Sequence, residues 1–462
     1  MKKHRSYQKK SIMLCIAICC LLFACEDFIE VDQPTGQIPS EVVFEDEATA
    51  TAAVASIYAK LRDEVLLTGN LFGMNILMGF YADELDYYSD TNSDIYPFYS
   101  HEMMATNDVV KTIWDGSYKA IYMSNLVLEG LESSTELNIE IKNQIKGEAL
   151  FLRAIVHFYL LNLFNDIPYV VTTNYLINQD VSRSSMEEVY SYILTDLLEA
   201  KELLADTYVS AERVRANKFV VSALLSRVYL YMGYWENAIS ESSLVINNTG
   251  LFNLEPIENE FLKESGSAIL QFKPRSSGDN TDEAIYFYFV SGPPFLMSMT
   301  PTLVSSFESD DLRLQNWIRL VTDGNQNWYA PYKYQEVENT GSSKEYSMVL
   351  RLSEQYLIRS EARFRLGDMI GAEQDLNVIR NRAGLEDYSG SSLEMINAIL
   401  DERRHELFTE YGHRWFDLKR FGMAESVLMD IKPNWQSRDA WLPIPELEIL
   451  MNPNLLPQNA GY

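Results

Sequence analysis

Charged residues crowd one short stretch, Ile399 to Gly422, ILDERRHELFTEYGHRWFDLKRFG, and Arg403, Arg404, Glu406, Glu410 and Arg414 are the ones placed to pair. At helical spacing its apolar residues fall at Leu400, Leu407, Phe408, Tyr411, Trp415 and Leu418. The gap between Leu400 and Leu407 is filled by the two arginines, so at least one guanidinium lies on or beside the buried stripe. Unpaired burial of a cation costs several kcal/mol, so carboxylates must meet it. Glu402, Glu406, Glu410 and Asp417 are on the same predicted helix, and Glu410 precedes Arg414 by four, the favourable order for a pair. Two chemistries follow. One is an ion-pair network that registers this helix against its neighbours; the other is a site for an anionic or carboxylate ligand. The structural network is the reading adopted, because such networks are common structural devices.

A second set of residues could do different chemistry. The segment ADELDYYSDTNSDIYPFYSHE (82–102) reads as a loop that sets Tyr87, Tyr88, Tyr96, Phe98 and Tyr99 among Asp, Asn and Ser. Further on come Tyr286 and Tyr288, Trp317, and Trp328, Tyr329, Tyr332 and Tyr334. A flat ring with a polar tip can cover the apolar face of a sugar and bond its hydroxyls. Tyr87, Tyr88, Tyr96, Tyr99, Trp328 and Tyr329 are therefore the candidate ligand-binding residues. The plainer alternative is that some of these rings, such as Tyr286 and Tyr288, merely line one face of a strand.

Other motifs are weaker. Asp90, Asn92 and Asp94 open like a calcium loop, but Ile95 stands where glycine is required and no Glu follows at the right distance. Glu402 and His405 have a di-iron helix spacing without a second copy. His157 lies on an almost wholly apolar helix and reads as a core histidine. No metal and no cofactor is expected. The chain has no G-x-S-x-G, P-loop, G-x-G-x-x-G or H-E-x-x-H, and no catalytic residue is assigned. Paired carboxylates for glycosidase chemistry are defined by spacing in space, so a surface glycoside hydrolase stays as a remote alternative.

These residues sit on a chain of 462, enough for one large core. Lys+Arg 38 against Asp+Glu 66 give a formal charge of −28. The first 24 residues hold five basic residues and no acidic one, so −28 less those five leaves −33 on the rest. That charge argues against nucleic acid as a ligand and against adhesion to anionic lipid by charge alone. The four cysteines are at 15, 19, 20 and 25, so the body has no disulfide framework, thiolate metal site or catalytic cysteine. Lys2 to Lys10 is basic and Ile12 to Phe23 apolar, too short to span a bilayer and right for a leader. Leu22-Phe23-Ala24-Cys25 resembles a bacterial lipobox, which would make Cys25 the lipidated first residue of the mature chain. The stretch 26–44 reads as an acidic start followed by an extended tether.

Helices are expected at about 49–62, with Asp46 or Thr49 as cap, at 108–130, at 136–164 and at 182–204, the last opened by capping serines. The third is apolar nearly all round and should be central and buried. Its end, Asn165, stands where a glycine cap would serve, in a conformation that Asn tolerates. ALLSRVYLYMGYWENAI (223–239) and SEARFRLGDMIGAEQDLNVIR (360–380) repeat one pattern, with Gly233 and Ala238, and Gly367 and Ala372, each five apart. This resembles the tetratricopeptide helix pair, with 49–62 and 108–130, and 136–164 and 182–204, as degenerate pairs. Between about 247 and 350 the period changes: AILQFKP, AIYFYFV and PYKYQEV read as short strands in a loop-rich insert.

ERRHELFTEYGHRWFDLKRFG, with the closing LPIPELEILMNPNLLPQNAGY (442–462), resembles the SusD/RagB family of surface nutrient-binding lipoproteins. GEALFLRAIVHFYLLNLFNDIPYV and FESDDLRLQNW (307–317) extend the resemblance over nearly the whole mature chain. It implies a mostly α fold of tetratricopeptide-like pairs carrying an irregular α/β insert. The expected organisation is a signal peptide (1–24), an N-terminal helical lobe (25–246), a loop-rich ligand-face insert (247–350) and a C-terminal region (351–462) completing the same globule. The resemblance further implies a lipid-anchored protein at the outer-membrane surface, with no enzymatic activity. It would bind oligosaccharide and deliver it to a SusC-like TonB-dependent transporter as that transporter's lid. Peptide capture, as in RagB-like members, is the alternative. The family's ligand residues vary, so none transfers by motif.

Overall fold

The computed structural model describes residues 43–462; the leader, Cys25 and the tether up to residue 42 lie outside the described residues. Helix α1 (Glu47–Asp63) begins where the Asp46 carboxylate accepts the Ala48 and Thr49 amides at 3.0 and 3.1 Å. Helix α2 (Met74–Tyr81) is wholly buried. The expected loop after it contains order: strand β1 (Leu85–Tyr87) and helix α3 (Tyr96–Ser100). Then come α4 (Asp108–Ser133), α5 (Ile139–Phe164) and α6 (Met186–Leu203), the last opened by a reciprocal Ser185–Glu188 capping box. Helices α7 (Lys218–Met232) and α8 (Trp235–Ile246) meet at Gly233, held at φ +75°.

In the insert, β2 (Ala268–Phe272) is a strand as expected, but AIYFYFV is not. Its first four residues belong to helix α9 (Asp282–Phe287), because the Thr281 hydroxyl accepts the Ala284 amide at 3.1 Å and Asp282 and Glu283 complement the positive helix end. Strand β3 (Met297–Met299) pairs antiparallel with β1, Tyr87 facing Met297. Strands β4 (Ile318–Thr322) and β5 (Asn327–Pro331) form a hairpin, and β6 (Ser347–Arg351) pairs with β2. PYKYQEV leaves the ladder after Pro331. The Tyr332 amide still pairs with the Trp317 carbonyl at 2.7 Å, but beyond it the amides of Gln335 and Glu336 go to the Glu345 carboxylate at 2.9–3.1 Å. With their donors so used, these residues cannot extend a strand.

Helices α10 (Leu352–Arg365) and α11 (Met369–Arg382) turn at Gly367. The long helix expected from 399 breaks in two, α12 (Met395–Leu407) and α13 (His413–Arg420), with Thr409 and Tyr411 at φ +52° and +40° between them. Four pairs pack in succession, α1 with α4, α5 with α6, α7 with α8 and α10 with α11, and neighbouring pairs also touch. Central α5 is buried almost throughout from Ile145 on. Asn165, after it, adopts φ 64°, ψ −134°, which is outside the left-handed helical region that Asn tolerates and is territory more natural to glycine. One hydrophobic cluster runs from Phe44 to Leu455, and a smaller one lies between α10, α11 and α12.

Candidate ligand-binding face

Beneath the insert lies a buried ionic joint. Arg313 donates to Glu402 at 2.6 Å, to Glu406 at 3.0 Å and to Asp311 at 2.8 Å. Arg351 meets Glu406 and also Glu410 at 2.7 Å, and Arg382 reaches Glu406 from α11. Burial alone would raise the Glu406 carboxyl, but Arg382, Arg351 and Arg313 override it and hold the group well below the usual range. Lys333 donates to the carbonyls of Glu406 and Phe408 at 2.8 Å each and to the Glu410 carboxylate. Those contacts, with Arg351 on the Glu406 carbonyl at 2.6 Å, cap α12 and end it. Glu410 thus faces Arg351 and Lys333 and not Arg414, which turns to Asp83 at 2.7 Å beside Arg404 at 2.6 Å. Arg403 pairs with Asp417 at 2.7 Å, and Asp417 with Arg420 at 2.9 Å. Every guanidinium here is paired with a carboxylate, and the nitrogens left without an acceptor, Arg382 Nε, Arg403 Nη1 and Arg404 Nε, are buried away from any external anion.

Above the joint, α2, β1 and α3 gather the tyrosines. The Tyr87 ring lies 5.3 Å from Phe80, 5.4 Å from Tyr96 and 6.1 Å from Tyr99, and its hydroxyl donates to the Asp90 carbonyl at 2.8 Å. Tyr88, next along the strand, points outward and is 41 % exposed, while its amide donates to the Leu296 carbonyl at 2.8 Å. The Tyr99 hydroxyl sits 3.5 Å from Asp86, and the Lys432 ammonium lies 3.8 Å over its ring. Burial pushes Lys432 down to about 7, resisted by Asp86 and Asp83, and burial with the Asp86 charge pushes the Tyr99 hydroxyl up to about 12.

Trp328 joins this group from the β4–β5 hairpin, its indole beside the Tyr88 hydroxyl. It is only 4 % exposed, because it packs over Gly292 so closely that an added Cβ would fall 2.0 Å from the ring. Trp328 is a wall and not a platform. Tyr329 is half-buried, and its backbone is tied to Ser298 of β3 at 2.9 Å, which fixes the hairpin beside the β1–β3 pair. Trp317 is core, its indole N–H donating to the Ile257 carbonyl at 2.9 Å, and Tyr334 is spent on the Met348 amide at 2.8 Å.

The exposed ring that sequence reasoning passed over is Phe295, 87 % exposed and adjoining Leu296, the partner of Tyr88. Its signal was a lone aromatic after Gly292-Pro293-Pro294. Tyr288 and Tyr332 flank Arg319, 5.1 and 5.6 Å from its guanidinium carbon, at the hairpin's edge. Asp90 accepts the Asn92 amide at 2.9 Å in a local turn. His157 bonds the Arg153 carbonyl at 2.9 Å and stacks 3.9 Å from Tyr169. His405 lies against Phe307 and the Ser306 hydroxyl. Tyr87, Tyr88, Tyr96, Tyr99 and Phe295, with Asp86 at the centre, present ring faces and hydroxyls and no nucleophile set against a base.

Comparison with known proteins agrees in chain order. A SusD-like family model described as starch-binding and associating with the outer membrane matches residues 27–230, and the SusD family model matches residues 313–436. SusD-like protein P2 of Formosa agariphila is 28 % identical, the match covering 98 % of this chain and 100 % of the relative. The starch-binding protein SusD of Bacteroides thetaiotaomicron is 27 % identical over 64 % of this chain and 53 % of its own length. Among solved structures, a SusD superfamily protein of Bacteroides vulgatus superposes with a TM-score of 0.78 at 23 % identity, over 91 % of this chain and 100 % of the other. A laminarin-binding SusD-like protein superposes with a TM-score of 0.76 at 23 % identity, over 90 % and 100 %. With the two family models matched in order over residues 27–230 and 313–436, the chain belongs to the SusD/RagB family.

Proposed function

We propose that this protein captures neutral oligosaccharide at the cell surface, on the face built by Tyr87, Tyr88, Tyr96, Tyr99 and Phe295, and passes it on chemically intact. The observation that carries the reading is the packing of Tyr87 of β1 with Tyr96 and Tyr99 of α3 beside the half-buried Asp86, with the segment that bears Phe295 tied to Tyr88 through the Leu296 carbonyl. Rings cover the apolar faces of sugars, and Asp86 with the tyrosine hydroxyls suits their hydroxyls. The relatives named for starch and laminarin support a glucan as the class. The net charge of −28 favours a neutral ligand over an acidic one.

In the same reading Cys25 carries the lipid, and the stretch after it, shortened to 26–42 because Phe44 is buried in the core, is a tether on which the rigid body swings as the lid of a SusC-like TonB-dependent transporter. The function needs contact and release, with no bond made or broken. A glycan array probed with the purified mature protein tests this: retention of neutral glucans with no shortening of the bound chains is expected. Indifference to every neutral glycan, or hydrolysis of one, overturns it.

A further inference from the structure

Just past the C-terminal end of α3 lies a cleft of about 780 Å³, between the segment 101–106 and the C-terminal turns around 433–438 and 461–462. Its volume is in the range of ligand clefts, roughly 300–1,000 Å³. Its walls include the rings of Trp435 and Tyr462 and the exposed side chains of Met104 and Pro433. Glu102 and Glu446 face Arg438 across the same space, so no positive excess favours an acidic ligand. Arg438 is itself held, its guanidinium carbon 4.9 Å over the Tyr462 ring and one nitrogen on the Gly461 carbonyl at 2.8 Å.

Two polar groups at this wall lack partners. His101 bonds the Tyr81 carbonyl through Nε2 at 2.9 Å, which makes Nε2 the donor and leaves Nδ1 a bare acceptor. Burial pushes this imidazole down to about 3, so it stays neutral, and Asp439, 3.7 Å from Nδ1, offers it no proton. The Trp435 ring stands 5.1 Å from His101, and its Nε1–H has no acceptor. Unsatisfied buried polar atoms call for an explanation. Both atoms lie just beneath the cleft surface, so the faces open to a ligand are the rings of Trp435 and Tyr462 and the Met104 side chain. Lys432, one residue before Pro433 of the cleft, lies over Tyr99, so the chain that lines the cleft also touches the tyrosine cluster.

We infer that the cleft lined by Trp435, Tyr462, Met104 and His101 is a second binding site for neutral oligosaccharide, separate from the tyrosine face and filled by a molecule of its own. It rests on the glycan reading above.

Isothermal titration of the mature protein with maltoheptaose and with laminarihexaose tests it. The wild type is expected to take two molecules of one of these per chain. Trp435→Ala, and Met104→Arg at an exposed position where unfolding is not at issue, are expected to reduce this to one, or to weaken the second site at least about tenfold. Tyr88→Ala is expected to spare that site. A single site that is lost in Tyr88→Ala and unchanged in Met104→Arg and Trp435→Ala sinks the cleft and leaves the tyrosine face standing. A single site with the opposite pattern supports the cleft and removes the tyrosine face. Silence with both sugars overturns the two together.

Discussion

The ammonium of Lys333 donates to the carbonyl oxygen of Phe408 at 2.8 Å and stands 3.9 Å over that residue's ring. One side chain from the insert thereby ends α12 and presses on its last aromatic. Lys333→Met should remove half of the cap, leaving the Phe408 carbonyl unserved and the Glu406 carbonyl to Arg351 alone. A loss of about 3 kcal/mol in denaturant unfolding is expected. A variant as stable as the wild type would show that the break between α12 and α13 is set elsewhere.

Glu84 sits against that break, its carboxylate 3.2 Å from the Thr409 amide, with one oxygen unpartnered. Burial, then the neighbouring Asp83 charge, pushes it up to about 8. Since the folded state holds this proton more tightly than the unfolded chain does, its contribution is complete below the ordinary Glu range near 4.5. It is lost as pH rises towards 8. Melting of the wild type should fall across that window more steeply than melting of Glu84→Gln. Parallel curves for the two proteins would refute the assignment.

Arg403 and Asp417 meet at 2.7 Å in a fully buried setting. Arg403→Ala leaves that carboxylate to Arg420 alone, and a loss of about 3–5 kcal/mol in stability is expected, with oligosaccharide affinity retained at temperatures where the variant is folded. Loss of affinity at full stability would instead make this helix part of the ligand site.

The tyrosine face separates two kinds of ring. Tyr88→Ala and Phe295→Ala, both outward-facing, should each weaken glucan binding by about 1–3 kcal/mol without moving the melting temperature. Tyr87→Ala should do both, because its ring packs on Phe80. Trp328→Ala should act mainly on stability. Affinity electrophoresis alongside thermal melts reads both quantities, and unchanged mobility of the Tyr88 and Phe295 variants would move the site elsewhere.

For the anchor, Cys25→Ala should shift the protein from the membrane fraction to the soluble fraction on cell fractionation. Continued pelleting with membranes would contradict lipidation at Cys25.

Much of the scaffold could be read from local pattern. Asp46 and the Ser185–Glu188 box announce helix starts, and the Gly233 and Gly367 turns announce the repeated pairs, because caps and turns are decided by residues within a few positions. What escaped was decided at a distance. The end of α12 depends on Lys333 and Arg351, and Glu410 exchanged its expected partner Arg414 for those same two side chains. AIYFYFV alternates like a strand, yet the single Thr281 cap and two acids made its first four residues a helix. The tyrosine cluster was visible as aromatics in polar surroundings. The burial of Trp328 depends on its approach to Gly292, and the place of Lys432 over Tyr99 on the fold as a whole, and neither leaves a trace in its own neighbourhood of the sequence.

Glu406 receives Arg313 from the insert, Arg351 from the end of β6 and Arg382 from α11. A single anion therefore rivets three remote stretches of chain, and changing any one of the four leaves like charges confronting each other in the dry interior. These four positions can drift only in concert, whereas Tyr88 and Phe295 are bound by no such pact. New specificities can arise by exchanging outward rings one at a time, over a foundation that does not have to shift.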